Sequence, residues 1–573
     1  MTLKRMRPAA LLAGLLVLAV LMTGCFGGLS GVAPRAGGGT RVVAGETPNF
    51  PAPGMKDSDL AAHVPGQIIV GVDSEERAFE VAQALNASVK RYLEPIGAAL
   101  LELHDKNVSL TDAMRSLEGR DGVRYAQPNF TDYYLPYVKE RGKGDLFGAA
   151  GAAGASLLQD EEDAGPPTWY ERFQYGPRIT RAVEAWDKGI TGKDRVIAVI
   201  DTGVRADHPD LYGKVLEGYN PDWGTSDRAA TDDFHGHGTH VAATAAGWMN
   251  VAAGERMTVG IAPEAYILPL RVFNPAQGGG YTSTSAGIAE AILVAADPGL
   301  VGLESPPADV ANMSLGGRVY SQAIQDAVNW ATDQGTVVVV SMGNSEHRQI
   351  AYPAAYQRTI PVAATNARDE VTSFSTRGSH ASVGAPGEFV FAASVDPDTG
   401  DNVWAWMSGT SMAAPHVSGA VALLRQYDPS LTPAEIKALL EQTADPLPNF
   451  GPEDVGRGRI NVARALNEEL EPTNYGMLEV FVHDGFGPTY QANVVLMKGD
   501  KIVGTKRTGG FWYIDGEVYA DGIAWFFELE PGSDYSVYVT YDNEALHPTE
   551  ALAEEHGIEV RPNEMTQVVM FVR

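Results

Sequence analysis

Val196-Ile197-Ala198-Val199-Ile200 is an unbroken apolar run, and it ends in Asp201-Thr202-Gly203. A strand with one wet face alternates apolar and polar residues. A run without alternation is expected where both faces are covered, as in a parallel sheet flanked by helices. Val337-Val338-Val339-Val340 is a second such run, and Val310-Ala311-Asn312-Met313 and Ile360-Pro361-Val362-Ala363-Ala364 are two more. Helical patterns intervene over 284–296, 321–334 and 413–425. The alternation predicts an α/β domain with a doubly wound, mostly parallel sheet, covering residues 169–468. Asp201 then stands at the C-terminal end of a buried strand, where such sheets place their chemistry.

Outward from that domain the texture changes twice. Towards the N-terminus, strand patterns at 66–72, 98–103 and 123–129 alternate with helical patterns at 75–85 and 109–117. This order predicts a small α+β, ferredoxin-like module over 65–136. Phe79, Val81, Ala82 and Leu85 would form the apolar face of its first helix. Residues 137–168 are a Gly/Ala-rich, then acidic, linker of the kind proteases cut. Towards the C-terminus, short strands at 478–482, 493–497, 525–529 and 535–539 predict an all-β sandwich over 476–573. It shows no catalytic constellation, and its aromatics read as core.

The start of the chain is an address. Lys4, Arg5 and Arg7 precede an apolar stretch, Ala9 to Leu21, too short for a comfortable membrane span. Residues 1–24 are expected to be a signal peptide, and the Gly- and Pro-rich residues 25–64 a flexible tether. Leu21-Met22-Thr23-Gly24-Cys25 resembles a bacterial lipobox, which implies lipidation of Cys25. Cys25 is the single cysteine of 573 residues, so no internal disulfide framework exists. The formal net charge of -29 argues against a nucleic-acid partner, because phosphate recognition needs a basic surface.

Four segments carry chemistry. Asp201-Thr202-Gly203 ends an apolar strand, and on its own it also suits a turn or an aspartic protease. His235-Gly236-His237-Gly238-Thr239-His240 offers three imidazoles. They suit either a zinc site or one catalytic base at the start of a helix. Sequence alone leaves open which histidine that base is. Asn344 follows Ser341-Met342-Gly343 at a strand end, where a side-chain amide projects into a cleft. Gly409-Thr410-Ser411-Met412-Ala413-Ala414-Pro415-His416-Val417 reads as a turn feeding a buried helix with Ser411 near its N-terminus. Unpartnered backbone N–H groups and the positive end of the helix dipole suit a nucleophile whose product is an oxyanion. A plain helix cap is the alternative for Ser411 alone. The chain order Asp, His, Ser differs from that of α/β-hydrolases and of chymotrypsin-like enzymes.

Asp201-Thr202-Gly203, His237-Gly238-Thr239-His240-Val241 and Gly409 to Val417 together resemble the three signatures of the subtilisin-like serine peptidases. Gly260-Ile261-Ala262-Pro263, Asn312-Met313-Ser314-Leu315-Gly316-Gly317 and Tyr352-Pro353-Ala354 match between them. The resemblance implies Ser411 as nucleophile, His237 as its base, Asp201 as the acid behind it and Asn344 as oxyanion donor. It implies a substrate strand at Ser314, Leu315 and Gly316, an opposite strand at Gly280 and Tyr281, and a pocket floor at Ala351, with Met342 narrowing that pocket. The small, uncharged floor implies apolar side chains in extended protein or peptide substrates. Structural calcium is the cofactor implied, with Asp210 as ligand and no catalytic metal. Asp222, Asp227, Asp232 and Asp233 would form either a second oxygen site or a solvated acidic loop.

Val123-Arg124-Tyr125-Ala126-Gln127-Pro128-Asn129 resembles the last strand of a subtilisin propeptide, a module that chaperones folding and then inhibits. The expected protein is an exported endopeptidase zymogen, attached to the cell membrane through Cys25 as precursor and extracellular or periplasmic when mature. A catalytically idle surface-binding protein, acting through residues 476–573, is the competing expectation.

Overall fold

The structure, a computed structural model, describes residues 43–44, 50–51, 56–137, 174–249, 258–276, 279–345, 351–378 and 380–467. In the C-terminal region it describes 476–483, 492–499, 501–507, 512–514, 517–519, 523–540, 552–561 and 565–571. The expected signal segment, Cys25 and the linker from 138 to 168 lie outside the described residues. No helix among the described residues is long and apolar enough to cross a membrane.

The N-terminal module has the order βαββαβ. Its four strands lie antiparallel in the order Ala87–Leu93, Ala98–Leu103, His63–Val72, Val123–Phe130. Ser74 and Ser109 cap its two helices, Glu75–Ala84 and Leu110–Arg115, each accepting from a backbone N–H in the first turn. The sequence pattern misses the strand Ala87–Leu93. Its Lys90 and Arg91 obscure the alternation, and it lies at the sheet edge, where one side needs no partner. Phe79 departs from expectation: it is 56% exposed, and Ala78, Val81 and Ala82 form the buried face instead.

The central domain holds six parallel strands in the order Val383–Pro386, Thr359–Thr365, Val337–Ser341, Val310–Met313, Val196–Asp201, Tyr266–Arg271. The period of two decides which core each residue joins. Ile197 and Val199 face one core with the helices His237–Ala246 and Thr410–Tyr427. Val196, Ala198 and Ile200 face the other, with the helices Ser285–Ala296 and Gln322–Asp333. From Val196–Asp201 the chain goes first to Tyr266–Arg271 on one side, then back to Val310–Met313 on the other. That reversal opens a crevice beyond the strand ends, and Asp201 stands at it. Pro269 hides the strand Tyr266–Arg271 in the sequence; a proline is tolerated there because this strand is last in the sheet.

The N-terminal module seats its sheet on the helices Ser285–Ala296 and Gln322–Asp333. Ile69, Leu93, Leu100, Tyr125 and Phe130 share a core with Ile292, Leu293, Ile324 and Val328. Two module side chains complete the ends of those helices. Asn129 Oδ1 accepts from Ala286 N at 3.0 Å, and Gln127 Oε1 accepts from Gln322 N at 2.8 Å. Arg124 pairs with Asp326 at 3.1 Å, and Arg91 pairs with Glu290.

The C-terminal region supplies one four-stranded sheet and three strands of a second, around Leu478, Val480, Val494, Leu496, Val537, Val539, Ile558 and Val568. All four expected strands are present. Val43 and Ala44, from the expected flexible tether, pair in parallel with Val568 and Val569 at the edge of one sheet. That pairing departs from a tether free along its whole length.

Candidate active site

Asp201 ends its strand with no exposed side-chain surface, and its Oδ1 meets Nδ1 of His237 at 2.8 Å. His237 is equally buried and opens the helix His237–Ala246. Facing a carboxylate acceptor, Nδ1 carries the proton, which leaves Nε2 as a base. That Nε2 has no hydrogen-bond partner among the described residues.

A second carboxylate fixes this geometry, and sequence reasoning missed it. Asp233 Oδ1 accepts from Thr202 Oγ1 at 3.0 Å and from the backbone N–H groups of His235 and Gly236 at 2.9 Å each. Its Oδ2 accepts from Thr239 N at 2.9 Å and Thr239 Oγ1 at 2.6 Å. Thr202 Oγ1 in turn accepts from Gly238 N. The fully buried Asp233 therefore ties the end of the Asp201 strand to the first turn of the histidine helix. It belongs to the four aspartates expected to form an oxygen site or a wet loop, and its five donors replace both expectations for it. An acidic residue four positions before His237 was the available signal, masked by its neighbour Asp232. At the far end of that helix, the buried Lys214 ammonium donates to the carbonyls of Ala246 and Pro263, and burial lowers its pKa to about 7.

The serine helix starts at Thr410, three residues before the expected 413, so Ser411 lies within its first turn. Asn344 Oδ1 accepts from Thr410 N and Thr410 Oγ1, both at 2.9 Å. The amide is thereby oriented, and its buried Nδ2 has no partner among the described residues. Gly409 keeps this corner open: a Cβ there would stand 2.9 Å from Asn344 Nδ2 and 2.4 Å from Pro136 O. Ser314 Oγ donates to the Ser411 carbonyl at 2.7 Å.

The tail of the N-terminal module lies in this cleft. Tyr133–Tyr134 pairs antiparallel with Gly316–Gly317. The Tyr134 ring covers Gly316, and its hydroxyl reaches Gly343, beside Ala351: a Cβ on Gly343 would meet these two residues at 3.3 and 3.5 Å. The chain then turns, with Tyr137 N donating to Leu135 O at 2.9 Å. Ser411 Oγ donates to Pro136 O at 2.8 Å. The serine hydroxyl thus donates to the tail's carbonyl oxygen, with Ser314 O at 3.3 Å, and not to His237 Nε2.

The remaining expected residues fall as follows. Leu315 is buried beside Ser341. Tyr281 pairs with Pro275 in a hairpin, and its ring packs on His235; Gly280 immediately precedes it. Met342, expected to narrow the pocket, packs with Ala363, Val371, Leu447 and Val455. His240 turns away from Asp201 and directs Nε2 to the carbonyls of Val390 and Ala405; burial drives its pKa down to about 3. His416 binds Met412 O and is lowered by burial to about 4. The three histidines of the motif do not converge on one point.

Asp210 lies among hydrogen-bond donors. Its Oδ2 accepts from Thr258 N at 2.9 Å, from Trp404 Nε1 at 2.8 Å and from Thr258 Oγ1. Burial raises its pKa. Calcium needs 6–8 oxygen ligands. Asp210 Oδ1 is buried with no hydrogen-bond partner among the described residues, which leaves one oxygen for a cation; no group of three His, Cys, Asp or Glu among the described residues could hold a metal.

Residues 192–487 match the Subtilase family, and residues 51–129 match the fervidolysin N-terminal prodomain. The thermophilic serine proteinase of Bacillus sp. (strain AK1) is 36% identical over 419 residues, 71% of this chain and 89% of that protein. Thermitase of Thermoactinomyces vulgaris is 39% identical over 299 residues, 52% of this chain and 97% of its own. The crystal structure of fervidolysin from Fervidobacterium pennivorans, a keratinolytic enzyme related to subtilisin, is similar with a TM-score of 0.62 and 27% identity. It covers 88% of this chain and 78% of that one. With its parallel sheet, buried Asp201–His237 pair and tail-filled cleft, this chain belongs to the subtilase family of serine endopeptidases and carries a fervidolysin-type prodomain.

Proposed function

We propose that Ser411, His237 and Asp201 perform the peptidase reaction, with Asn344 and the Ser411 backbone N–H as oxyanion donors. The buried 2.8 Å contact between His237 Nδ1 and Asp201, with Nε2 left unpartnered among the described residues, carries this reading. Once the tail has left, Ser411 Oγ gives its proton to His237 Nε2 and attacks the substrate carbonyl carbon. The carbonyl oxygen becomes an oxyanion, towards which Asn344 Nδ2 is already aimed. His237 then protonates the leaving amine, and an acyl-enzyme on Ser411 remains for water to hydrolyse by the same steps in reverse. Asp201 stays ionised throughout and stabilises the imidazolium. Ser314, Leu315 and Gly316 hold extended substrate as they hold the tail. The pocket beside Gly343 and Ala351 takes apolar or aromatic side chains, as the Tyr134 ring indicates. A serine-directed fluorophosphonate should label the matured enzyme and not Ser411→Ala; equal labelling of both would remove Ser411 from the reaction.

The precursor is a zymogen whose own tail is the inhibitor. Our reading of the remaining chain divides it into a signal at 1–24, a tether at 25–64, a propeptide at 65–136, a linker at 137–168, a peptidase at 169–468 and a β domain at 476–573. Export and lipidation of Cys25 would put the membrane anchor on the propeptide side of the linker. Cleavage of the exposed linker then yields an enzyme starting between about residues 137 and 175. N-terminal sequencing of the form in the medium checks this, and a start before 137 would contradict it. Calcium would take the unpartnered Asp210 Oδ1 as one of its oxygen ligands. A chelator that leaves the Tm unchanged removes calcium from the account. The competing expectation of an idle surface binder is not supported.

A further inference from the structure

Two tyrosines of the tail flank Pro136, and each lies in a different place. Tyr134 is held over Gly316 and Gly343. Tyr137 is held by rings. Its own ring lies 5.3 Å from the imidazole of His237, tilted by 50°, and 5.8 Å from that of His235, edge to face at 86°. His235 also meets Tyr281 at 4.9 Å, again edge to face at 86°. His235 thus touches two aromatic rings, each at a right angle to it, the arrangement in which ring quadrupoles attract.

This triplet is built and not incidental. The His235 backbone is fixed by Asp233, and Tyr281 is fixed by its hairpin with Asn274–Pro275. His235 and Tyr281 are both half-buried, so one ring face remains within reach of a ligand. His235 is also the motif histidine that the proteolytic reaction leaves without a task. We propose that His235, Tyr281 and the face of His237 form an aromatic-accepting subsite, filled by Tyr137 in the precursor and by an aromatic side chain of the substrate in the mature enzyme. The preferred substrate class is protein that carries two aromatic residues three positions apart, as the tail carries Tyr134 and Tyr137. This rests on Ser411 being the nucleophile, whose failure would appear separately as absent fluorophosphonate labelling.

Synthetic peptides covering residues 131–138 are the probe, used as inhibitors of the enzyme matured from the full chain. Against wild type, Tyr137→Ala in the peptide should weaken inhibition about tenfold, while Tyr137→Phe should stay within about twofold, as edge-to-face ring pairs require. Against the His235→Ala enzyme the loss from Tyr137→Ala should shrink to less than about threefold, because the two changes remove the same contact. Equal inhibition by the Ala and Phe peptides, or equal losses against both enzymes, overturns the proposal. A peptide-substrate library on wild type alone decides it should the variant not mature or the peptides not inhibit. Aromatic residues enriched at two positions support the subsite, and enrichment at one position only sinks it.

Discussion

Asp201 with His237, and Asp210 with His208, are two fully buried Asp–His neighbourhoods in one domain, yet they are wired in opposite ways. In the first, Asp201 orients one imidazole nitrogen and leaves the other without a partner among the described residues. In the second, His208 Nδ1 accepts from Asp210 N at 3.2 Å, and Nε2 is bonded to Val403 O at 3.1 Å. The Asp210 Oδ2 is taken by Thr258 and Trp404. Composition and burial are alike. What separates the two is a ring nitrogen left without a hydrogen-bond partner among the described residues, on His237 alone of this pair.

The strongest way to break this contrast is to exchange the carboxylates for amides. Asp201→Asn should lower kcat by about 10⁴-fold, because the amide favours the wrong imidazole tautomer. Steady-state kinetics on the matured protein reads this directly, and a loss below about tenfold would mean that Asp201 is not the orienting group. Asn344→Ala should cost about 10²–10³ in kcat with KM little changed, a range that itself comes from a subtilisin. A rise in KM with kcat intact would instead make Asn344 a substrate-binding residue.

Asp210→Asn should do the reverse of Asp201→Asn. We expect kcat/KM to stay within about twofold while stability falls by about 1–3 kcal/mol, since hydrogen-bond donors lose a charged acceptor. Chemical denaturation gives the second number, and a large loss of kcat would erase the distinction between the two pairs. The smallest effect concerns pH. His240 is held neutral with a pKa driven down to about 3 by burial, against an ordinary 6.5. The unfolded chain therefore binds the proton first. Stability from this group is present above about 6.5 and is lost as pH falls towards 3, by up to about 1.4 kcal/mol per pH unit. Denaturation midpoints measured between pH 7 and pH 5 should show this slope, and His240→Gln should flatten it. An unchanged slope would mean that the histidine is not held neutral by burial.

The order of the proposed triad was legible in the sequence because each of Asp201, His237 and Ser411 ends or begins a strongly patterned element. Asp233 was not legible. Its neighbours Asp222, Asp227 and Asp232 suggest a wet acidic loop, and only the return of that loop to Thr202 and Thr239 reveals a buried organiser. His237 and His240 could not be told apart along the chain, because both lie on one buried helix; the register of that helix against Asp201 decides between them. Strands Ala87–Leu93 and Tyr266–Arg271 were hidden by charge and by Pro269, two features that sheet edges tolerate.

The pairing of Val43 and Ala44 with Val568 and Val569 gives the precursor a third point of attachment. The tail in the cleft and the module on its two helices are the other two. After a cut in the linker these would act as a multivalent grip, in which each contact keeps the others at high local concentration. Cutting the linker is then a separate event from activation. The lag between them would be set by how long one fragment stays bound at three points, and loosening any one of them should shorten it.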